Sequence, residues 1–282
     1  MSKLTAKEIA SKTIEIATLP EVTMRIIEVV QDHRSTAHDL HKIVSNDPAL
    51  SARVLRVVNS AFYGLPGQIG SIDRAIMLLG LNAVKNIAIA ASLTKMFNQQ
   101  VPCDDFSGKD LWTHSVAVGA ANKLITTAIG LALPDEAFLA GLIHDLGLVA
   151  LLQCYNEKIP EIVDLVRSGV SFRTAEEQII GADHQQIGMA LAAKWKFPRS
   201  FQYVSGYHHN PLELAKENRL LAIVTHISDI ICAKKELGLT LTVEHEEIDD
   251  VLKTEIDLSD EQITEIESQI SDELDTVKSL IE

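Results

Sequence analysis

A histidine and an aspartate that are adjacent in the chain, His144 and Asp145, lie in the middle of an apolar run from Ala137 to Leu152. The other fourteen residues of the run are apolar or glycine, which predicts a buried helix. An ionised carboxylate in such a core is unfavourable by several kcal/mol unless a positive or hydrogen-bonding group compensates it. Two compensations stay open. Asp145 could bond to helix N-termini, hydroxyl groups or a protonated histidine, or the pair could supply adjacent ligands to a metal ion such as Fe, Mn, Zn or Ni.

More histidines and a second carboxylate extend this pattern in the second half of the chain. His114 has small apolar neighbours on a predicted helix, and Asp229 lies within another, mainly apolar, predicted helix. His208 and His209 lie at a predicted helix end, and His184 begins a further helix. Imidazole and carboxylate groups are the ligands that these metals prefer. All five residues are therefore candidate ligands.

The other histidines have simpler interpretations. His226 lies three residues before Asp229 and therefore on the same helical face, where we expect a supporting or core residue and not a ligand. The remaining four are interpreted as surface residues: His33, His38, His41 and His245.

The composition predicts an all-α protein. Hydrophobic residues make up 46% of the chain and aromatic residues only 5%, which indicates a core of Ala, Leu, Ile and Val. Apolar residues also recur at helical spacing nearly throughout. The three cysteines form no CxxC motif, so neither a disulfide framework nor a thiolate zinc site is expected. We expect a cytoplasmic protein without membrane attachment, because the first residues lack an apolar leader and the longest apolar run is shorter than a membrane span.

The formal net charge of −14 is concentrated at the C-terminus, where residues 244–282 hold fifteen Asp and Glu against two Lys. The rest of the chain is nearly neutral and has no basic stripe, so direct nucleic-acid binding is not expected. Apolar residues recur along this tail at helical spacing, so the stripe is expected to dock on its own domain or, alternatively, on a second copy in a homodimer. The stripe consists of Ile263, Ile266, Ile270, Leu274, Val277 and Ile281.

These patterns predict three units: an N-terminal helical subdomain at 1–105, a second helical subdomain at 106–243 and an acidic C-terminal helix at 244–282. The polar composition of residues 98–108 places the first boundary. We expect a regulatory surface in the groove between the two halves, near this connector and residues 64–70. Predicted helices cover 6–17, 22–31, 72–79, 82–96, 137–152, 160–167, 174–180, 184–194 and 219–235, with further helix starts at Ser35, Pro48, Leu111 and Pro134.

The order His…His-Asp…His…His-His…Asp resembles the HD superfamily of metal-dependent phosphohydrolases. The resemblance implies that one divalent ion is held by the first histidine, the His-Asp pair and the distant aspartate. It also implies that the remaining histidines serve a second ion, as in the HD-GYP branch. By position, the first set is His114, His144, Asp145 and Asp229, and the second is His184, His208 and His209.

The whole stretch from about Leu19 to Ala233 is similar to the HDOD family. The similarity is carried by segments such as IVSNDPALSARVLRVVNSAFYG, SIDRAIMLLGLNAVKNIAI, EAFLAGLIHDLG and GYHHNP. It implies an HD-domain-like helical bundle with an N-terminal helical subdomain, used in bacterial signalling. It also implies a module often linked to receiver or cyclic-dinucleotide domains, without a generally established enzymatic activity.

The chain departs from the catalytic relatives at two points. HD-GYP phosphodiesterases carry a lysine three residues after the aspartate of the pair, where this chain has Leu148. They also have an acidic residue and a Gly-Tyr-Pro segment after the double histidine, where this chain has Asn210 and Pro211. Phosphodiester hydrolysis needs cations that stabilise the developing charge. Four basic residues near the candidate ligands are interpreted as solvated surface charges: Lys194, Lys196, Arg199 and Arg219.

Three functions fit these observations. The first is a non-catalytic regulatory module with a vestigial or structural metal site, which binds signalling proteins. The second is a metal-dependent phosphohydrolase acting on a nucleotide or cyclic dinucleotide. The third is a sensor that binds a nucleotide second messenger without chemistry. No organic cofactor is expected in any of the three.

Overall fold

The computed structural model describes residues 9, 12–13, 17–32, 34–60, 63–97, 103–243 and 247–278, without the side chains of residues 30 and 272–278. Within these ranges every regular element is a helix, which confirms the predicted all-α fold. The predicted helix at 6–17 lies mostly outside the described residues. The α-helices are α1 Glu21–Gln31, α2 Ala37–Ser45, α3 Pro48–Val58, α4 Ile72–Leu79, α5 Leu81–Leu93, α6 Gly108–Ala128, α7 Pro134–Ile143, α8 Leu146–Cys154, α9 Ile159–Arg167, α10 Phe172–Ile179, α11 His184–Lys194, α12 Arg199–Tyr207, α13 Leu220–Lys234, α14 Asp250–Ile256 and α15 Asp260–Lys278.

Capping residues set the helix starts of the N-terminal half. The Asp47 carboxylate accepts a hydrogen bond from the backbone N–H of Leu50 at 2.9 Å, and Pro48 occupies the first position of α3, as predicted. Helix α2 is capped by Thr36 in a capping box with Asp39, and not by Ser35. The Ser35 hydroxyl instead donates to a backbone carbonyl at the end of α1. The predicted cap was therefore misplaced by one residue.

The apolar run around the His-Asp pair forms two helices and not the single predicted one. Helix α7 ends at Ile143, and α8 begins at Leu146. Asp145 leaves the helical region with φ −94° and ψ 30°, and its carbonyl starts α8 by accepting from Leu148 N–H at 2.9 Å. The pair therefore lies at a buried turn between the two helices.

Glycines allow the helices around this turn to approach one another closely. A Cβ on Gly147 would collide with the backbone of His184, and a Cβ on Gly141 would lie 2.7 Å from Gly119 Cα. Real Cβ atoms show no such contacts, so α8 can meet α11, and α7 can meet α6, only at glycine. These approaches bring the start of α11 against the His144–Asp145 turn.

The acidic tail folds back on the second half as two helices, α14 and α15. Ile263 and Ile266 are buried in a cluster with Ile125 of α6 and Ile227 of α13. The Gln262 amide donates to the carbonyl of Ala128 at 2.8 Å. The prediction that the stripe docks on its own domain is confirmed as far as Ile270, which is also buried. Its remaining members, Leu274, Val277 and Ile281, lie outside the described side chains.

One described segment, Pro134–Cys154, is apolar enough and long enough to cross a membrane by composition alone. Of its most apolar window, 89% is buried inside the protein, as is usual for helices of a protein core. The main hydrophobic cluster contains residues from both halves of the chain, such as Leu40 from the first and Phe201 from the second. The division at residue 105 stays a prediction.

Candidate metal centre

Five separate parts of the second half bring all seven predicted ligands to one place. They are α6, the α7–α8 turn, the start of α11, the segment after α12, and α13. Six of the seven side chains are at most 2% exposed, and that of His209 is 10% exposed. We call this cluster the His-Asp centre: His114, His144, Asp145, His184, His208, His209 and Asp229.

The Asp145 carboxylate is surrounded by imidazoles. Its Oδ2 lies 3.2 Å from His144 Nε2, and its Oδ1 lies 3.5 Å from His208 Nε2 and 3.8 Å from His184 Nε2. Burial alone would raise the pKa of the Asp145 carboxyl, but the imidazoles, His144 above all, hold that pKa well below its usual range. Asp145 therefore has the neighbouring partners that a buried carboxylate needs.

Asp229 closes the other side of the centre. Its Oδ1 lies 2.9 Å from His114 Nε2, and its Oδ2 lies 3.9 Å from His209 Nδ1. Burial opposes ionisation, but the hydrogen bond with His114 lowers the pKa of Asp229 below its ordinary value. The Nε2 atoms of His209 and His184 are 3.0 Å apart and join this side of the centre to the other.

Backbone carbonyls orient the histidines toward the interior. His144 Nδ1 lies 2.6 Å from the carbonyl oxygen of Gly141, and His208 Nδ1 lies 3.1 Å from that of Val204. A ring whose Nδ1–H is donated to a carbonyl presents a free Nε2 lone pair, which is how metal-binding histidines are usually held. His226 Nδ1 contacts the carbonyl of His208 at 2.7 Å, which agrees with its predicted supporting role.

Several polar atoms of the centre are buried without a hydrogen-bond partner among the described residues. They are His144 Nε2, His208 Nε2 and both carboxylate oxygens of Asp145. An unsatisfied buried polar group costs about 1–3 kcal/mol, and more if it is charged. His144, Asp145 and His208 each offer one ligand atom, and these atoms lie within 4.8 Å of one another, so the donor set fits a divalent ion.

Among the described residues there are three groups whose potential ligand atoms lie within 4.8 Å of one another inside each group, and every member belongs to the His-Asp centre. Buried imidazoles and carboxylates in this arrangement could hold a metal ion, and they suit Fe, Mn, Zn or Ni. The groups are His114, His144 and Asp229; His144, Asp145 and His208; and His184, His208 and His209.

Glu176 of α10 is a residue beside the His-Asp centre that the sequence analysis missed. Its carboxylate is fully buried and contacts His184 Nδ1 at 2.7 Å, while also accepting from the backbone N–H of His184 at 3.0 Å. Burial lowers the pKa of His184, but Glu176 outweighs this and raises it to about 9. The missed signal is the same as for Asp145, because Glu176 shares the apolar stripe of Phe172 and Ala175, four and one residues earlier.

Cations that could hold a phosphate are few around the centre. Leu148, at the position of the HD-GYP lysine, is fully buried in the core. Arg173 lies near the centre, but its Nε donates to the Asp183 carboxylate at 3.0 Å. Arg219 forms a bidentate ion pair with Glu255. Both arginines are therefore held by carboxylates of their own chain.

An open cavity of about 1070 Å³ adjoins the centre and is lined by His209 and His226. We call it the mouth cavity.

A second cavity, of about 500 Å³, lies between the two halves of the chain. It is lined by the starts of α5, α7 and α12 and not by residues 64–70, near which the regulatory groove was predicted.

Comparison with known proteins agrees with this architecture. A family model described as the HDOD domain matches residues 16–211. The crystal structure of an HDOD domain protein of unknown function from Geobacter sulfurreducens has a TM-score of 0.74 and 23% identity, covering 95% of this chain and 98% of that one. A Shewanella amazonensis SB2B protein, provisionally named a phosphohydrolase, has a TM-score of 0.75 and 23% identity over 98% of this chain and 99% of its own. At 23% identity, these two similarities show that this chain has the same fold as the two proteins.

Among curated proteins, an uncharacterised protein of Treponema pallidum is 25% identical over 207 residues. The match covers 73% of this chain and 40% of that protein, so this chain spans well under half of the relative's length. The family match covers more than half of the present chain and includes six of the seven residues of the centre. The chain belongs to the HDOD family.

Proposed function

We propose that this chain is a non-catalytic regulatory module of the HDOD type, in which the His-Asp centre holds a divalent metal ion for structural reasons. The observation that carries the proposal is the closure of the centre, since six of its seven side chains are at most 2% exposed. Structural metal sites are closed by protein ligands, whereas catalytic sites keep a position open for water or substrate.

A bound divalent ion supplies positive charge to two buried carboxylates and Lewis acidity to any oxygen that reaches it. In this chain Asp145 and Asp229 would hold it, together with the Nε2 atoms of the surrounding histidines. Glu176 would orient His184 through its Nδ1, as carboxylates do for many metal-binding histidines. The ion would thereby join five parts of the chain that are distant in sequence.

The surroundings of the centre disfavour phosphodiester chemistry. Phosphoryl transfer depends on cations placed at the phosphate oxygens. Leu148 offers none, and Arg173 and Arg219 are each paired with a carboxylate. Regulation would then act through binding. The proposed partners are signalling proteins, with a nucleotide second messenger as the alternative that calorimetry with cyclic dinucleotides would detect.

The test combines stability and turnover in the same protein preparation. The metal-free protein is titrated with Mn²⁺, Zn²⁺, Fe²⁺ and Ni²⁺, and its thermal unfolding is recorded beside hydrolysis of bis-(p-nitrophenyl) phosphate and cyclic dinucleotides. We expect at least one ion to raise the unfolding temperature and none to support turnover at enzyme-like rates. His38→Ala, which alters an exposed histidine, is the control and should behave as wild type.

Metal-dependent turnover that disappears in His144→Ala would overturn the non-catalytic proposal and favour the phosphohydrolase. Unfolding temperatures that no divalent ion changes would overturn the metal site itself.

A further inference from the structure

The mouth cavity reaches the His-Asp centre at His209. Of the seven side chains, His209 alone lines this cavity and keeps 10% exposure. Its Nε2 lies 3.0 Å from His184 Nε2, so it links the cavity wall to the buried interior. Behind it lie the unpartnered atoms of Asp145 and His208. A ligand that reaches the centre from this cavity therefore passes His209.

The wall of the mouth cavity is strongly acidic. Five carboxylates line it against two lysines: Glu213, Glu247, Asp249, Asp250 and Asp260 against Lys234 and Lys253. Four of the five carboxylates belong to the C-terminal tail. The tail therefore determines the charge of the cavity.

Ion pairs within the wall do not cancel this charge. Lys253 Nζ lies 2.7 Å from both Asp250 and Asp260, so one lysine is shared by two carboxylates. Glu213 and Glu247 are exposed, and neither has an ion-pair partner among the described residues. The wall that His209 helps to form therefore keeps a net negative charge.

A cleft lined by charges of one sign concentrates ions of the opposite sign and raises their association rate, by about 10-fold to 1000-fold in strong cases. The same field repels ions of its own sign. Resting on the metal site proposed above, we propose that the mouth cavity is the access route of the divalent cation to the His-Asp centre. The carboxylates of the cavity wall attract the cation and exclude phosphate esters, which carry negative charge.

The test measures metal association by the full-length, metal-free protein. Co²⁺ uptake is followed by visible absorbance in a stopped-flow instrument at low and high salt. We expect the double variant Glu213→Gln with Glu247→Gln to bind Co²⁺ about 3- to 10-fold more slowly than wild type at low ionic strength. At 0.5 M salt the difference should nearly vanish, because the Debye length there is only about 4 Å. Reversing the charge with Glu213→Lys and Glu247→Lys should slow uptake further.

Glu21→Gln with Glu157→Gln is the matched control, because both residues are exposed and neither lines the mouth cavity. It removes the same amount of charge and should leave the rate unchanged. The metal-loaded variants should bind the same number of Co²⁺ ions per chain as wild type and unfold at the same temperature. A slower uptake would then reflect access to the site and not a change in the site itself.

Wild-type uptake rates in both mouth-cavity variants would overturn this inference and leave the proposed metal site intact. Equal slowing by the control pair would also overturn it, because net charge and not the cavity wall would then be responsible. A wild-type protein that takes up no Co²⁺, Zn²⁺, Mn²⁺ or Fe²⁺ would overturn the metal site and the access route together.

Discussion

The His-Asp centre and the acidic tail both carry carboxylates, but the two regions treat them in opposite ways. Asp145 and Asp229 are buried, and each lies within 4 Å of at least two imidazole nitrogens. In the tail, Glu247 is exposed and has no such neighbour among the described residues. A buried charge must find partners in its own chain, whereas an exposed one is solvated by water. The buried carboxylates therefore determine the local fold. The exposed carboxylates can instead contribute to the electrostatic potential at the protein surface.

The largest effect is expected from Asp145→Asn, which keeps the shape of the side chain and removes its charge. Because the histidines around it would lose their counter-charge, we expect loss of the bound ion and a decrease in the free energy of unfolding of about 3–5 kcal/mol. Elemental analysis and chemical denaturation measure the two effects. Asp105→Asn, which changes an exposed aspartate paired with Arg167, is the control. Unchanged metal content in the buried variant would show that Asp145 is not a ligand.

Gly147→Ala tests the close approach of α8 and α11 that supports the centre. The new methyl group would collide with the backbone of His184, and overpacking of this kind costs about 1–3 kcal/mol. We expect lower stability together with weaker metal binding, because His184 must move. Gly70→Ala is the matched control, since no atom lies within 4 Å of a Cβ at that position. A stable Gly147→Ala variant with normal metal affinity would contradict the packing described here.

Glu176→Gln tests a residue that supports the centre without belonging to it. The amide keeps the size of the side chain but is a weaker hydrogen-bond partner for His184 Nδ1, so the ring is less firmly oriented. Loss of such a supporting carboxylate lowers metal affinity by about 10- to 100-fold. Competition with a chelator gives the affinity, and Glu177→Gln, an exposed neighbour, is the control. Equal affinities in the two variants would reduce Glu176 to a packing role.

The smallest effect is expected in the tail. Gln262→Ala removes the amide that donates to Ala128 and also accepts from the backbone N–H of Ser259 at 2.9 Å. We expect a loss of about 1 kcal/mol in the free energy of unfolding. Gln269→Ala is the control, because among the described residues that amide donates a hydrogen bond only to Glu265 of the same helix. A loss as large as that of Asp145→Asn would contradict the minor role given to this contact.

The same contrast explains what could be predicted from the sequence. Asp145 lies in an apolar run, so its need for partners could be recognised, and the helix starts at Asp47 and Pro48 followed from local capping chemistry. All seven candidate ligands do meet. Their metal-binding role stays a proposal, and so does the choice between a catalytic and a non-catalytic site.

Other features depend on contacts between distant segments and could not be predicted in this way. The break between α7 and α8 lies where α11 packs against the turn. The glycine at position 147 did not by itself predict that contact. Glu176 shares the apolar stripe of α10, so its burial could have been suspected, but its contact with His184 becomes visible only when α10 meets α11. The position of the tail carboxylates at the mouth cavity depends on where Ile263 docks. In each case a contact with another helix decides the environment.

Elemental analysis of the full chain purified without chelators, beside Asp145→Asn prepared in the same way, tests the metal centre most directly. A closed His-Asp centre predicts at least one tightly held divalent ion per wild-type chain and none in the variant. A wild-type protein that is fully folded, free of metal and unaffected by added divalent ions would contradict it.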